Sequence, residues 1–514
     1  MILTKNKYIL PLLLFLITFV GISFDIKAQD KTKKQTENQS EKSNKIRKEG
    51  RKINVSKNQA EKSPNEKTTY FSSDSITISH IHLECHKKTK DRIILRELAI
   101  YEGYKIHRKD IETILEQESN KIFNTRLFVT VDIFYEEFTK GELDIIISLT
   151  EQWYIYPIPL IELADRNFNV WWNQQGRDLR RLEYGIRVKH NNFRGRKEEL
   201  SFLFQTGFTN KFDLRYSVPY INKAQTLGLN ISVGYAENTN VGYITDRDTL
   251  RFIETPERDV LSSRFYSGIS LTARSHFYDR HTFFVGYKNQ TIADTVAQLN
   301  GNFFGEGKTN QRFVALEYNF FRDLRDRANY PLKGYYFLFA VQQQGLGIKQ
   351  NEFSLFTART EFAKFIPLSK KLFFQSSANM KLTFAQNAPY ANLRGMGYGR
   401  DVIRGFEYNV TESEQHFILK NTMRFKLFEN TFRLNKMPSQ FSKIPVAIYP
   451  KVYFDAGYSQ LLNPYESNSL PNQWLYGTGA GIDVVLYFNM VLRAEYSFTS
   501  TGISGLRLGW KADF

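Results

Sequence analysis

The chain has 514 residues, and 15% of them are aromatic, with 43 Phe and 29 Tyr. Charged residues make up 24% and the mean hydropathy is −0.42, which excludes a bundle of apolar membrane helices, while the aromatic load excludes a disordered chain. The single cysteine, Cys85, excludes an internal disulfide framework and a cysteine-based zinc site, and eight histidines leave little for His-rich metal chemistry. The net charge of +17 is uneven: +2 over 1–28, +6 over 29–70, −4 over 71–152 and +13 over 153–514. No compact Lys/Arg block sits on a helix or among aromatics, so the excess points to an anionic membrane surface and not to nucleic acid.

Lys5 and Lys7 precede an apolar run from Tyr8 to Phe24, and Asp25, Lys27 and Ala28 follow it. A basic start, an apolar stretch and a small residue at its end predict an export signal peptide over 1–28. The run is short of the ~20 residues that span a bilayer, which favours a removed leader over an anchor. Residues 29–72 are rich in Lys, Glu, Asn, Gln and Ser and hold no aromatic before Tyr70. Such a segment buries too little apolar surface to offset its chain entropy, and a disordered linker is expected.

Residues 73–153 change period several times. Ile76 and Ile78 alternate with polar residues and predict a strand. Thr89 to Ile100 reads as a helix with Ile94 and Leu98 on one face. A second helix runs from about His107 to Phe123 with Ile111, Ile114, Leu115 and Ile122 on one face. Val129, Val131, Ile133 and Tyr135 then alternate, and after a turn at Lys140–Gly141 so do Leu143, Ile145, Ile147 and Leu149. The order is βααββ, a small α+β domain with helices on one face of a sheet. His80, His82, Cys85 and His86 look like a metal cluster at first. On a strand the three histidines share one face and Cys85 takes the other, so a solvated strand face is the expectation and no metal site is assigned.

From 154 to 514 one theme repeats: stretches of about ten residues alternate apolar and polar. Val314, Leu316, Tyr318 and Phe320 alternate with Ala315, Glu317 and Asn319, and Leu492, Ala494, Tyr496 and Phe498 with Arg493, Glu495 and Ser497. Sixteen segments start near Tyr154, Leu182, Glu199, Lys211, Leu227, Arg264, His281, Arg312, Lys333, Asn351, Leu372, His416, Pro445, Gly477, Met490 and Gly505. A soluble sandwich also alternates. Here, however, Phe, Tyr and Leu load one face of nearly every strand while Lys, Arg, Glu and Gln hold the other. An all-β transmembrane barrel of about 16 antiparallel strands accounts for a lipid-facing wall around a wet lumen.

Three short stretches carry a resemblance. Ile403–Arg404–Gly405–Phe406, inside the Gly-rich stretch Leu393 to Glu407, resembles a V/I-R-G-F/Y loop motif. Phe454–Asp455–Ala456–Gly457 resembles an F-x-D-x-G strand motif, and Trp510 and Phe514 resemble the terminal-strand signal of outer-membrane barrels. The α+β unit resembles one POTRA domain, with Asn124, Leu127, Phe128 and Val131 where the second helix passes into the next strand. In this order the features resemble the POTRA-plus-barrel superfamily, the BamA/TamA-like outer-membrane insertases, the related surface antigens and the two-partner-secretion translocators.

Strand parity gives the motifs a physical reason. Ile444, Val446, Ile448, Val452 and Phe454 share the outer face, while Tyr449, Lys451, Tyr453 and Asp455 point into the lumen. A loop folded back into the barrel would bring Arg404 to Asp455 as a charge-assisted pair, with Gly405 permitting a tight backbone and Phe406 packing on the wall. An outer loop with an unpaired arginine is the alternative. The chain departs from the family in having one POTRA-like unit, and in offering Lys420, Thr422 and Arg424 on the preceding strand where a second inward carboxylate is common.

The resemblance implies a non-enzymatic protein of the cell outer membrane that assists insertion or translocation of clients. It implies no catalytic residue, cofactor, metal or nucleic-acid partner, and no G-x-S-x-G occurs in the chain. The POTRA-like unit would lie in the periplasm and take unfolded client proteins by strand addition. The seam between the first strand (154–164) and the last (505–514) would be where clients enter the bilayer. Outer-membrane lipid and lipopolysaccharide are the implied surroundings, with periplasmic chaperones or lipoproteins as further candidate partners. A passive channel or receptor sharing the architecture stays open at this stage.

Overall fold

Period-two runs become strands throughout the computed structural model. The residues it describes run from 75 to 509, apart from 85–87, 140, 223, 258, 277, 328–329, 347–352, 387, 434–442 and 487–489. The leader and linker expected over 1–72, Cys85 and His86 of the histidine cluster, and Trp510 and Phe514 all lie outside the described residues.

The chain forms two compact units. The N-terminal α+β domain runs through β1 (Ser75–Glu84), α1 (Asp91–Leu95), β2 (Lys105–His107), α2 (Ile111–Asn124), β3 (Phe128–Thr139) and β4 (Glu142–Glu151); its stretches 75–84, 101–119 and 131–148 make up the smaller unit, and its remaining residues cluster with the larger one. Its sheet has the order β2-β1-β4-β3, with β2 antiparallel and β4 parallel to β1. Ile76, Ile78, Ile106, Leu143, Ile145 and Ile147 are buried. Two expectations need correction. The first helix is shorter than 89–100, because bonds from Glu97 N–H to Ile94 and from Leu98 N–H to Leu95 tighten it out of α geometry. A further short strand, β2, then makes the order βαβαββ. Gly103, at φ +91°, donates to the Ile78 carbonyl and turns the chain back onto β1. His80 and His82 are exposed, each 3.7 Å from a carboxylate, Glu102 and Asp144.

The larger unit holds β5 (Ile155–Leu163), β6 (Leu182–Phe193), β7 (Glu198–Gly207), β8 (Thr209–Val218) and β9 (Leu227–Asn238). A hairpin of β10 (Asn240–Asp246) and β11 (Thr249–Glu254) follows, then β12 (Ser262–His276), β13 (Asp279–Ile292), α3 (Asp294–Leu299), β14 (Asn310–Asp323), β15 (Gly334–Gln344), β16 (Ser354–Pro367) and β17 (Leu372–Gln386). The last are β18 (Gln415–Phe425), β19 (Phe428–Arg433), β20 (Lys443–Gln460), β21 (Trp474–Val485), β22 (Val491–Thr499) and β23 (Ser504–Gly509). Neighbours pair antiparallel around a closed barrel in which β23 adjoins β5. Both β18 and β19 pair with β20, so together they form one interrupted wall strand and the wall has sixteen. The β10–β11 hairpin is extra: it stands outside the wall.

Parity separates the two faces. Ile231, Ile269 and Val285 lie side by side in register on β9, β12 and β13, and all three are exposed on the outer face. At one barrel end the connections are short, as at 194–197 and 368–371. At the other, five are long: 164–181, 239–261, 293–309, 387–414 and 461–473. The long loops pack on one another through Val241, Leu261, Ile292, Val296, Phe303, Phe304 and Tyr390. The hairpin tip adds polar clasps: Asp248 accepts from the Ser469 and Leu470 N–H groups, and its own carbonyl accepts from Val410 N–H.

An arginine on the outer face should therefore cost far more than one on the inner. Ile269→Arg is expected to destabilise the folded barrel by about 2–4 kcal/mol, and Ser270→Arg, of opposite parity, by roughly 1 kcal/mol or less. Urea titration in lipid vesicles, followed by gel mobility without boiling, measures both.

Candidate functional site

The loop 387–414 lies inside the barrel because glycines clear a path for it. Gly405 has φ +102°, and a Cβ there would sit 2.5 Å from Thr499 Cγ2. On the wall, a Cβ at Gly477 would meet the Arg404 carbonyl oxygen at 2.0 Å, and one at Gly457 would meet Ile403 Cδ1 at 2.5 Å. The loop backbone thus rests directly on β21 at Gly477, and the Ile403 side chain fills the space above Gly457 on β20. Ile403 and Phe406 are buried with Met396, Ile418, Leu470 and Leu475, which offsets part of the cost of drawing the loop into the lumen.

Arg404 is the most heavily bonded residue of the loop. Its Nε donates to Asp455 Oδ2 at 2.8 Å, its Nη2 to Asp455 Oδ1, and its backbone N–H to Oδ2 at 3.1 Å. Nη1 donates to the Thr422 hydroxyl at 3.0 Å, Nη2 also donates to the Asn421 carbonyl, and the guanidinium stacks 3.9 Å from the Tyr453 ring centre. The two charged side chains are 4% and 0% exposed. A bidentate pair with further donors satisfied is the arrangement that makes a buried charge tolerable. The second carboxylate absent from β18 comes from β22 instead, where Glu495 Oε1 lies 4.0 Å from Nη1. Gly479 and Gly481 on β21 make room for that crossing: a Cβ on them would meet the Tyr453 hydroxyl at 2.5 Å and Glu495 Cγ at 2.8 Å. Glycine stands at alternate positions of the Tyr476–Gly481 stretch, a pattern in the sequence that could have marked this face.

Three more loop carboxylates are tied down. Asp401 takes Arg359 of β16 in two bonds, at 2.7 and 2.9 Å, together with Asn379, and lies 3.5 Å from His416. Burial pushes the Asp401 carboxyl up, but His416 and Arg359 outweigh it and hold the group well below the usual carboxylate range. Glu407 accepts from Gly405 N–H and from Arg507 Nε on β23 at 3.0 Å. Burial raises its carboxyl above the ordinary value against the pull of those donors. Glu412 accepts from the Thr245 hydroxyl. Beside Arg404 on the wall, Lys451 Nζ sits 2.7 Å from both Asp483 and Glu495, and Tyr330 donates to Asp483.

The first long loop, 164–181, joins the lumen loop to the last strand. Arg166 donates to the carbonyls of Gly397, Tyr408 and Asn409, and Asn167 to that of Glu407. The Asn169 carboxamide accepts from Leu508 N–H at 3.0 Å and donates to the Leu508 carbonyl at 3.1 Å. One side chain thus makes the two bonds that a neighbouring strand residue would make to β23.

The structure brings together Ile403, Arg404, Gly405, Phe406, Asp455 and Gly457. Phe454 points to the outer face, 48% exposed, and has no part in the cluster. Asp401, Glu407, Glu495, Arg507 and Asn169 escaped sequence reasoning because no local spacing marks their partners. Among the described residues no group of three His, Cys, Asp or Glu is placed to hold a metal ion.

The Omp85 superfamily domain matches residues 192–499 of the chain. By structure the chain is similar to BamA from Haemophilus ducreyi lacking POTRA domains 1–3, with a TM-score of 0.61 and 12% identity over 84% of this chain and 83% of that one. CdiB from Acinetobacter baumannii gives a TM-score of 0.44 and 12% identity over 85% of this chain and 73% of that one. No curated protein matches the sequence.

Removing Arg404 strands Asp455 in a dry wall. Arg404→Ala is expected to destabilise the barrel by about 3–5 kcal/mol. Arg400→Ala, whose side chain is 66% exposed and 4.0 Å from Glu361, should change it by less than about 1 kcal/mol. Thermal unfolding read by heat-modifiable gel migration compares the two.

Proposed function

Because the chain belongs to the Omp85 superfamily of outer-membrane insertases and translocators, we propose that it assists the insertion or translocation of client polypeptides at the outer membrane. The small α+β domain is its POTRA-like receiving module, on the periplasmic side of the membrane. It takes unfolded clients by strand addition to a sheet edge. Lipid and lipopolysaccharide surround the wall, periplasmic chaperones or lipoproteins deliver the clients, and no cofactor or catalytic step is involved.

One observation carries the reading. A single lumen loop is bonded at once to the wall, through Arg404 and Asp455, and to the last strand, through Glu407 and Arg507. The 164–181 loop that grips it also covers the edge of Leu508 at the seam with β5. This arrangement supports a seam whose closure depends on where the lumen loop sits. A passive channel is less well served, since a buried, ion-paired loop stands in the passage.

Depleting the protein and profiling the outer-membrane proteome tests the function. A defined set of outer-membrane or exported proteins should fall. An unchanged proteome with altered solute permeability would favour the passive channel. The seam has its own test. Asn169→Leu removes two hydrogen bonds worth roughly 1 kcal/mol each and should leave the barrel folded while lowering disulfide cross-linking between cysteines scanned along β5 and β23. Unchanged cross-linking would remove Asn169 from the seam.

A further inference from the structure

A second feature of the lumen lies away from the loop anchor. On the inner face, Arg274 of β12 and Arg280 of β13 stand directly opposite each other in register. Like charges in that position destabilise a sheet. Among the described residues no carboxylate comes within ion-pair distance of either, and Arg280 rests 5.2 Å from the Phe321 ring centre. Asp323, a carboxylate in electrostatic reach of Arg280, already accepts two guanidinium bonds and a backbone N–H bond from Arg325. The two arginines line a cavity of about 650 Å³ together with Arg325 and Arg400, and among the described residues no acidic one lines it. That volume is ample for a ligand.

We infer that this cavity binds an acidic stretch of extended polypeptide, with the Arg274–Arg280 pair as its anion site. This rests on the reading of the protein as a handler of unfolded clients. The geometry favours a chain over a lone phosphate because the cationic groups do not converge on one point. They sit on β12, on β13, past the end of β14 and on the lumen loop. Asn319 and Thr282, paired across β14 and β13 on the wall, offer partners for backbone amides. A carboxylate lodged between Arg274 and Arg280 would relieve their repulsion and gain charge-assisted bonds from both. The cavity adjoins the short-turn end, with Pro219 and Tyr220 of the 219–226 connection in its lining, the end from which a periplasmic client would enter.

The test uses the purified full chain in detergent micelles and two fluorescent extended peptides, one alternating Glu and Thr, the other alternating Gln and Thr. The acidic peptide should bind roughly tenfold more tightly at low salt, and its advantage should shrink as salt screens the pair. Arg274→Gln with Arg280→Gln should abolish the preference while leaving the melting temperature unchanged or raised, an outcome that a purely structural role for the pair would reverse. Equal binding of the two peptides, or an unaltered preference in the double variant, would overturn the assignment. So would binding of inorganic pyrophosphate at the pair without binding of the acidic peptide, which would mark a phosphate site. The assay needs no client in the cell, so its failure is distinct from an unchanged proteome on depletion.

Discussion

A guanidinium that has left water must be fully partnered, and the inner architecture of this barrel follows from that demand. Arg404 is 4% exposed and Asp455 not at all. Isolated, either charge would cost several kcal/mol of lost hydration. The pair persists because Thr422, the Asn421 carbonyl, the Tyr453 ring and Glu495 complete its surroundings. That crowding is possible only where the wall is thin, hence the alternating glycines 477, 479 and 481 on β21. A methyl group at Gly477 would collide with the Arg404 backbone itself.

From that anchor the bonds lead outward to the seam. The loop continues through Gly405 and Phe406 to Glu407, which holds Arg507 on the last strand. Arg166 and Asn167 bind the carbonyls that follow, and two residues later Asn169 supplies a strand-like pair of bonds to Leu508. Any motion that frees the loop from the wall therefore changes the contacts at β23. The path is a chain of direct contacts, each link a named hydrogen bond or ion pair.

Much of this was legible because strands have a period of two. Segments expected to begin at Leu182, Leu227 and Leu372 begin there, and most others fall within a few residues. The same parity places Asp455 in the lumen and Phe454 on the outer face. What parity does not carry is the path of loops and the sum of register shifts around the wall. Glu495 reaches Arg404 from β22, two strands from Asp455, and Arg507 meets Glu407 a hundred residues away. The β10–β11 hairpin was missed for another reason: its strands of seven and six residues are shorter than the ten-residue wall stretches, and it packs with α3 and Phe303 among the long loops. In the small domain, β2 is three residues long, too short for any periodicity to show.

The anchoring of the lumen loop requires that Arg404 and Asp455 be energetically coupled, and a double-mutant cycle measures that coupling directly. Arg404→Gln, Asp455→Asn and the double variant would be unfolded by urea in vesicles. The buried bidentate geometry should give an interaction energy of about 1.5–3 kcal/mol. Additivity of the two single changes within about 0.5 kcal/mol would mean that the pair does not anchor the loop, and would contradict the account.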